Sequence, residues 1–292
     1  VAVTATAVTS ITGTTSAVTT AYGSSGINGL GNEAITLTGD NSVSNANTVA
    51  ALTSGVVTAT ITEGDMSTLA NLTETGNAYT VTITDSSVAS SALNTLDGKT
   101  TVAVNAAAVT TLTGLAADAN TAYASSGISG LGNEAVTLSD TSLASSVLNT
   151  LDGNTTGAVN AATITTLTGL AADANTAYAS SGISGLGDEA VTLSDTSLAT
   201  TVLNTLDGNT TGAVNAATVT TLTGTAATAN TAYASGGITG LGNEAVTLSD
   251  TSLATTVLNT LDGNTTGAVN AATVTTLTGT AATANTAYAS SG

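Results

Sequence analysis

The 292-residue sequence contains no cysteine, proline, histidine, tryptophan or phenylalanine, and its only basic side chain is Lys99. Without Cys or His there is no thiolate nucleophile, imidazole base, zinc finger or disulfide framework, so the chain is not expected to be an enzyme. Nineteen acidic residues against one base give a formal charge of −18. That charge repels phosphate backbones and anionic lipid heads, so neither nucleic acid nor a polybasic membrane contact is expected. The lack of cysteine leaves the redox compartment open. No apolar run has membrane length, and Val1 is not followed by a basic start and an apolar stretch, so no transmembrane or targeting segment is read here.

With aromatics at 2% and an apolar share of 41% made mostly of Ala, Val and Leu, the usual bulky core is missing. Such residues bury surface only if backbone layers lie close together. The sequence supplies the layers by repetition. Ala190 to Ser235 recurs letter for letter from Ala245 to Ser290. Leu96, Leu151, Leu206 and Leu261 of "LNTLDG" keep a 55-residue step, as do Tyr123, Tyr178, Tyr233 and Tyr288. The last copy stops at Gly292, equivalent to Gly237, so the array is expected to continue beyond it.

Within the 55-residue period, short apolar alternations begin at Val81, Val104, Val136, Val159 and Val191, at 23- or 32-residue spacings. The longer spacing carries the extra loop "GISGLGNE". Units this small cannot hold a core alone and must stack on their neighbours. The expected fold is an α/β solenoid of coils of about 23 and 32 residues sharing a parallel sheet, roughly eleven coils and roughly 50 Å long at about 4.8 Å per rung. Residues 1–80 are drifted copies and 81–292 regular ones in one continuous array. Val136 and Leu138 alternate as a strand, and Leu143, Val147, Leu148 and Leu151 gather on one helical face, with Asp140 or Thr141 to cap the helix start and Gly153 to end it. In "AVNAATITTLTG" the segment Thr163 to Thr168 reads either as a turn into the helix of Ala171, Ala174, Ala177 and Tyr178 or as a second strand, which would favour the alternative, an all-β solenoid.

Site chemistry is sparse, and no catalytic or cofactor-binding residue is assigned. Asp140, Asp195 and Asp250, with Asp152, Asp207 and Asp262, are the one pattern that raises calcium, whose ligands are oxygens. Their positions favour helix caps, and equivalent aspartates two coils apart, about 9.6 Å, cannot share one ion; a metal site therefore stays open. Asp118 and Asp173 become Thr228 and Thr283, as solvated surface charges can. "GLGNE" lacks the order of a phosphate loop and reads as a tight corner that tucks in Ile128 and Leu131. The tyrosines read as interior plugs with a hydroxyl at the edge. Threonine ranks of the kind that bind ice occur in alternate units only, and Asn71, Asn154, Asn209 and Asn264 open N-x-T sequons.

The blocks "VTLSDTSLATTVLNTLDGNTTGAVNA" and "VTTLTGLAADANTAYASSGISGLGNE" resemble the Thr-, Ala- and Ser-rich tandem arrays of very large bacterial cell-surface proteins, especially those of marine cyanobacteria, including giant swimming-associated ones. The resemblance is clear from Val81 onward. It implies an extracellular or cell-surface location and a structural or adhesive role, and it transfers no catalytic residue. The reading of the chain is then a structural segment of a rod, fibre or surface layer that associates with itself or end to end. The alternative is a repeat adhesin whose loops or tyrosines bind glycans or another cell with avidity, and ice binding ranks below both.

Overall fold

The computed structural model describes residues 2–292 and shows an α/β solenoid-like repeat fold in which every sheet is parallel and none closes into a barrel. The described residues hold eleven helices: α1 (Thr15–Tyr22), α2 (Val43–Ala50), α3 (Met66–Leu69), α4 (Ser90–Asp97), α5 (Ala116–Ala124), α6 (Ser145–Asn154), α7 (Ala171–Ala179), α8 (Thr200–Asn209), α9 (Ala226–Ala234), α10 (Thr255–Asn264) and α11 (Ala281–Ala289). The chain forms two compact units, Val1–Leu138 with Gly153–Val159 and Ser139–Asp152 with Asn160–Gly292.

In the second unit, the strands Ser142–Ala144, Thr166–Gly169, Ala190–Leu193, Val214–Asn215 and Ile238–Thr239 make one five-stranded sheet. Ser142 pairs with Thr166, Thr166 with Ala190, Val191 with Val214, and Val214 with Ile238. The register therefore advances by a 23- or 24-residue step at every rung, including across the stretch read as a 32-residue unit. The difference lies in an extra strand. A coil normally has two strands and a helix, but Ile238–Thr239, Ala245–Leu248 and Ser252–Ala254 follow one another at seven-residue steps before α10. These three strands belong to three different sheets. The 55-residue period is thus two 24-residue coils plus a seven-residue side, and each period hands the helices on to the next sheet: α9 follows a strand of the sheet formed by Ser197–Ala199, Thr221–Gly224, Ala245–Leu248 and Val269–Asn270, α10 one of the sheet Ser252–Ala254 shares with Thr276–Thr278.

The expected helix start at Leu143 is corrected by the same register. Leu143 stands in its own short strand opposite Leu167, and α6 begins two residues later. A bend after Leu138 restarts the extended backbone, so Leu143 enters the core from a sheet, not a helix. Both readings of "AVNAATITTLTG" are realised together: Thr166–Gly169 is a strand and α7 follows it, which leaves the fold α/β and not all-β. Gly153 does not end its helix; α6 runs on to Asn154.

The core is built almost wholly from buried Ala, Val, Leu and Ile side chains. α9 turns Ala226, Ala229 and Ala232 inward at three-residue spacing, whereas α8 inserts Leu203 and Leu206, all within 1% of complete burial. Small and large faces alternate along the row, and interiors packed this way leave no room for loss of volume. Asparagines sew the helices together: Asn204 Nδ2 donates to the Thr228 carbonyl at 2.9 Å, Asn230 to Val257 at 3.0 Å, and Asn264 to the Asn230 side chain at 2.9 Å. Threonines do the same between coils, with Thr218 Oγ1 donating to the Asp195 carbonyl at 3.0 Å and Thr220 Oγ1 to that of Thr196.

The first unit follows the same plan with less regularity. Ser10–Gly13, Ala34–Asn41, Val57–Ile61 and Ala78–Thr80 form a four-stranded sheet. Its register slips between Thr36 and Asp40, and α3 is only one turn long. Truncating the fully buried Leu206 to Ala is expected to cost about 2–5 kcal/mol, measured by urea unfolding; a loss below about 0.5 kcal/mol would show that the inter-coil core is not packed as described.

Candidate functional site

The most elaborate polar arrangement sits at the seven-residue corner and recurs four times. Glu33, Glu134, Glu189 and Glu244 are completely buried. In each, Oε2 accepts the hydroxyl of the tyrosine eleven residues earlier: Tyr22 at 2.6 Å, Tyr123 at 3.1 Å, Tyr178 at 3.0 Å and Tyr233 at 2.9 Å. The same oxygen accepts the backbone N–H of Gly31, Gly132 and Gly187 at 2.8 Å and of Gly242 at 2.9 Å. At Glu134 the Asn133 N–H adds a third donor at 3.1 Å. Converging backbone N–H groups form an anion-binding nest. Here the nest is filled by the chain's own carboxylate, so the loop that superficially suggests a phosphate cradle holds no place for one.

Two glycines make the corner possible. Gly130 has φ +90°, and a Cβ there would lie 2.7 Å from the Ala107 nitrogen. Gly157, in the next coil, leaves room for the Glu134 carbonyl, onto which a Cβ would collide. That carbonyl accepts the buried Thr155 Oγ1 at 2.7 Å, and Thr210 and Thr265 do the same for Glu189 and Glu244. Tyrosine, glutamate and threonine therefore tie the corner to the preceding helix and to the next coil.

The electrostatics follow from burial. The Tyr22 hydrogen bond, reinforced by backbone donors, holds the Glu33 carboxyl below its ordinary 4.5 despite desolvation. Burial, with the Glu33 bond second, pushes the Tyr22 phenol up to about 12. Burial likewise raises Tyr123, Tyr178 and Tyr233. The other oxygen, Oε1, of all four glutamates is buried without a hydrogen-bond partner.

The recurrent aspartates fall into two structural roles. Asp195 Oδ2 accepts the Ala171 N–H and Asp250 Oδ2 the Ala226 N–H, both at 2.8 Å. Each therefore caps the helix of the preceding coil and not, as expected, the one that follows it: the strand Ser197–Ala199 or Ser252–Ala254 intervenes and carries the chain away from its own helix start. Asp152 and Asp207 accept the hydroxyls of Ser180 and Ser235 at 2.7 Å, and Asp262 that of Ser290 at 2.8 Å. Asp140 stands in the turn before its short strand, and Asp118 and Asp173 lie in the first turns of α5 and α7. No group of three or more acidic side chains that could hold a metal ion occurs among the described residues. Of the sequon asparagines, Asn154, Asn209 and Asn264 are half-buried and bonded to Asn120, Asn175 and Asn230, whereas Asn71 is exposed at the end of α3.

The arrangement holds the corner in place through bonds to the preceding helix and to the next coil. The sequence carried a signal for it that composition concealed, the constant eleven-residue spacing of Tyr22–Glu33, Tyr123–Glu134, Tyr178–Glu189 and Tyr233–Glu244. No family model matches the chain, and no curated protein or solved structure is significantly similar to it. No described helix is long and apolar enough to cross a membrane.

The pH dependence of stability follows from the first corner. Glu33, lowered in the folded state, contributes stability that is present above about pH 4.5 and lost as the pH falls through its folded value. Tyr22, raised in the folded state, contributes stability that is complete below pH 10 and lost as the pH rises toward about 12. Melting temperatures measured across pH are expected to show both limbs, with Glu33→Gln shrinking the acid limb and Tyr22→Phe the alkaline one. Unchanged limbs in both variants would remove these groups from the account.

Proposed function

We propose that this chain is a structural repeat segment of a large extracellular or cell-surface protein, serving as a stalk, fibre or surface-layer element and not as an enzyme. The observation that carries the reading is where the polar chemistry is spent. The recurring aspartate carboxylates, asparagine amides and threonine hydroxyls bond to neighbouring coils, and the hydroxyls of Tyr22, Tyr123, Tyr178 and Tyr233 bond to the buried corner glutamates. A part built to be repeated needs such joints; a part built to transform a substrate needs one unique constellation. The likeness to Thr-, Ala- and Ser-rich bacterial surface arrays supports the location, and the near-absence of Lys and Arg, one residue in 292, leaves few sites for trypsin-like proteases. In the adhesin alternative the corner loops and tyrosines would be free to bind glycans. The engagement of Tyr123, Tyr178 and Tyr233 with buried glutamates favours the structural reading.

The test is a series of chains with one, two and three additional 55-residue repeats, measured by small-angle X-ray scattering. Each repeat, about 2.3 coils, is expected to add roughly 11 Å to the maximum dimension at about 4.8 Å per rung. A dimension that grows only as that of a compacting globule would contradict the proposal, and glycan-array binding that scales with repeat number would favour the adhesin.

A further inference from the structure

The helix row of the first unit has one gap. α3 has a single turn, where α2 and α4 have eight residues each, so α3 flanks α4 over one turn only. The gap is an apolar groove of about 210 Å³ lined by Leu69, Ala70, Ala92, Thr95, Leu96 and Lys99. Its rim residue Lys99 is the only base in the chain, and its Nζ donates to the Thr73 carbonyl at 3.0 Å. A groove of side-chain size with a lone positive charge beside it fits an apolar side chain with a carboxylate one helical turn away.

The chain itself displays that pairing twice. Leu115 and Leu170, each 46% exposed, occupy the N-cap positions of α5 and α7, where they provide no side-chain cap. Asp118 and Asp173 follow three residues on, which places leucine and carboxylate on one side of the helix start. Folding does not require this pair. In the later copies the same positions are Thr225 with Thr228 and Thr280 with Thr283, and there the first threonine caps its helix by accepting the N–H of the second at 3.2 and 3.3 Å. The Leu–Asp copies thus forgo a stabilising cap and expose a large apolar side chain.

We infer that the α3–α4 groove is a docking site for a second copy of this chain, which seats Leu115 or Leu170 against Ala70, Ala92 and the Lys99 stem, the surface left accessible above the buried Leu69 and Leu96, and sets Asp118 or Asp173 against Lys99. The contact is heterologous, a knob on one molecule and a groove on another, and such contacts extend into open assemblies when they do not close a ring. A single knob makes a weak joint, and two knobs per chain strengthen assembly through multiplicity. The inference deepens the proposed structural role and rests on it for its purpose, but its test is separate: scattering reports the form of one chain, association the joint between chains.

Sedimentation of the full chain over rising concentration is expected to show a weight-average mass climbing above 27.7 kDa. Leu115→Thr with Leu170→Thr, the residue later copies carry at these positions, is expected to weaken association about tenfold or more, as is Lys99→Glu. Adding Asp118→Lys and Asp173→Lys to Lys99→Glu is expected to restore it. A wild-type chain that stays at 27.7 kDa, threonine variants that associate as the wild type does, or a charge exchange that fails to restore assembly would each overturn the inference.

Discussion

A coil this short cannot enclose a core, and every other feature of this protein answers that constraint. The apolar residues available are mostly Ala, Val and Leu, so burial has to come from close approach of layers and not from bulky side chains. Parallel pairing at a constant 23- or 24-residue register supplies the closeness, and alternating Ala-faced and Leu-faced helices fill the space it leaves. Polar residues then seal the joints. Asn204, Asn230, Thr218 and Thr220 direct their hydrogen bonds to backbone groups of neighbouring coils, where water would otherwise compete.

The acidic composition takes on a different meaning in this setting. With a single base in the chain, carboxylates are seldom balanced by charge, and they act as strong acceptors instead. Asp195 and Asp250 close helix starts in the preceding coil, while Glu134, Glu189 and Glu244 gather the N–H groups of the corner that would otherwise be left bare. Charge-assisted hydrogen bonds of this kind are stronger than neutral ones, which suits joints made by so few atoms. The corner matters because the seven residues it adds move the helices to the next sheet once per 55-residue period.

Much of this was legible in the sequence. The 55-residue period, the strand-plus-helix coil and the parallel stacking follow from the spacing of Leu96, Leu151 and Leu206 and from the alternation at Val136 and Leu138. What escaped has physical causes. Leu143 reads as the first turn of a helix because Leu148 and Leu151 share its face, and only the pairing with Leu167 reveals it as strand. The 32-residue spacing looks like a longer coil because the rung partner of Val104, Ile128, lies in a two-residue strand too short to show alternation. Asp195 reads as a local cap because sequence periodicity is blind to contacts between coils, and its real partner, Ala171, lies 24 residues back. The tyrosine–glutamate corner was visible as a constant spacing, yet a buried carboxylate in so acidic a chain is indistinguishable by composition from a solvated one.

The gap beside α3 shows the value of irregularity in such an array. Regular coils spend their chemistry on one another, so a departure from the pattern is where surface becomes available. The register underlies all of it, and nitroxide labels test it most directly. Labels replacing Thr168 and Thr192 sit directly opposite each other on facing rungs and are expected to show strong mutual broadening in their electron spin resonance spectra. Labels replacing Asn160 and Thr192, which a 32-residue coil would bring face to face, are expected to show far less. Broadening in the second pair and not in the first would contradict the 24-residue rung and the structure built on it.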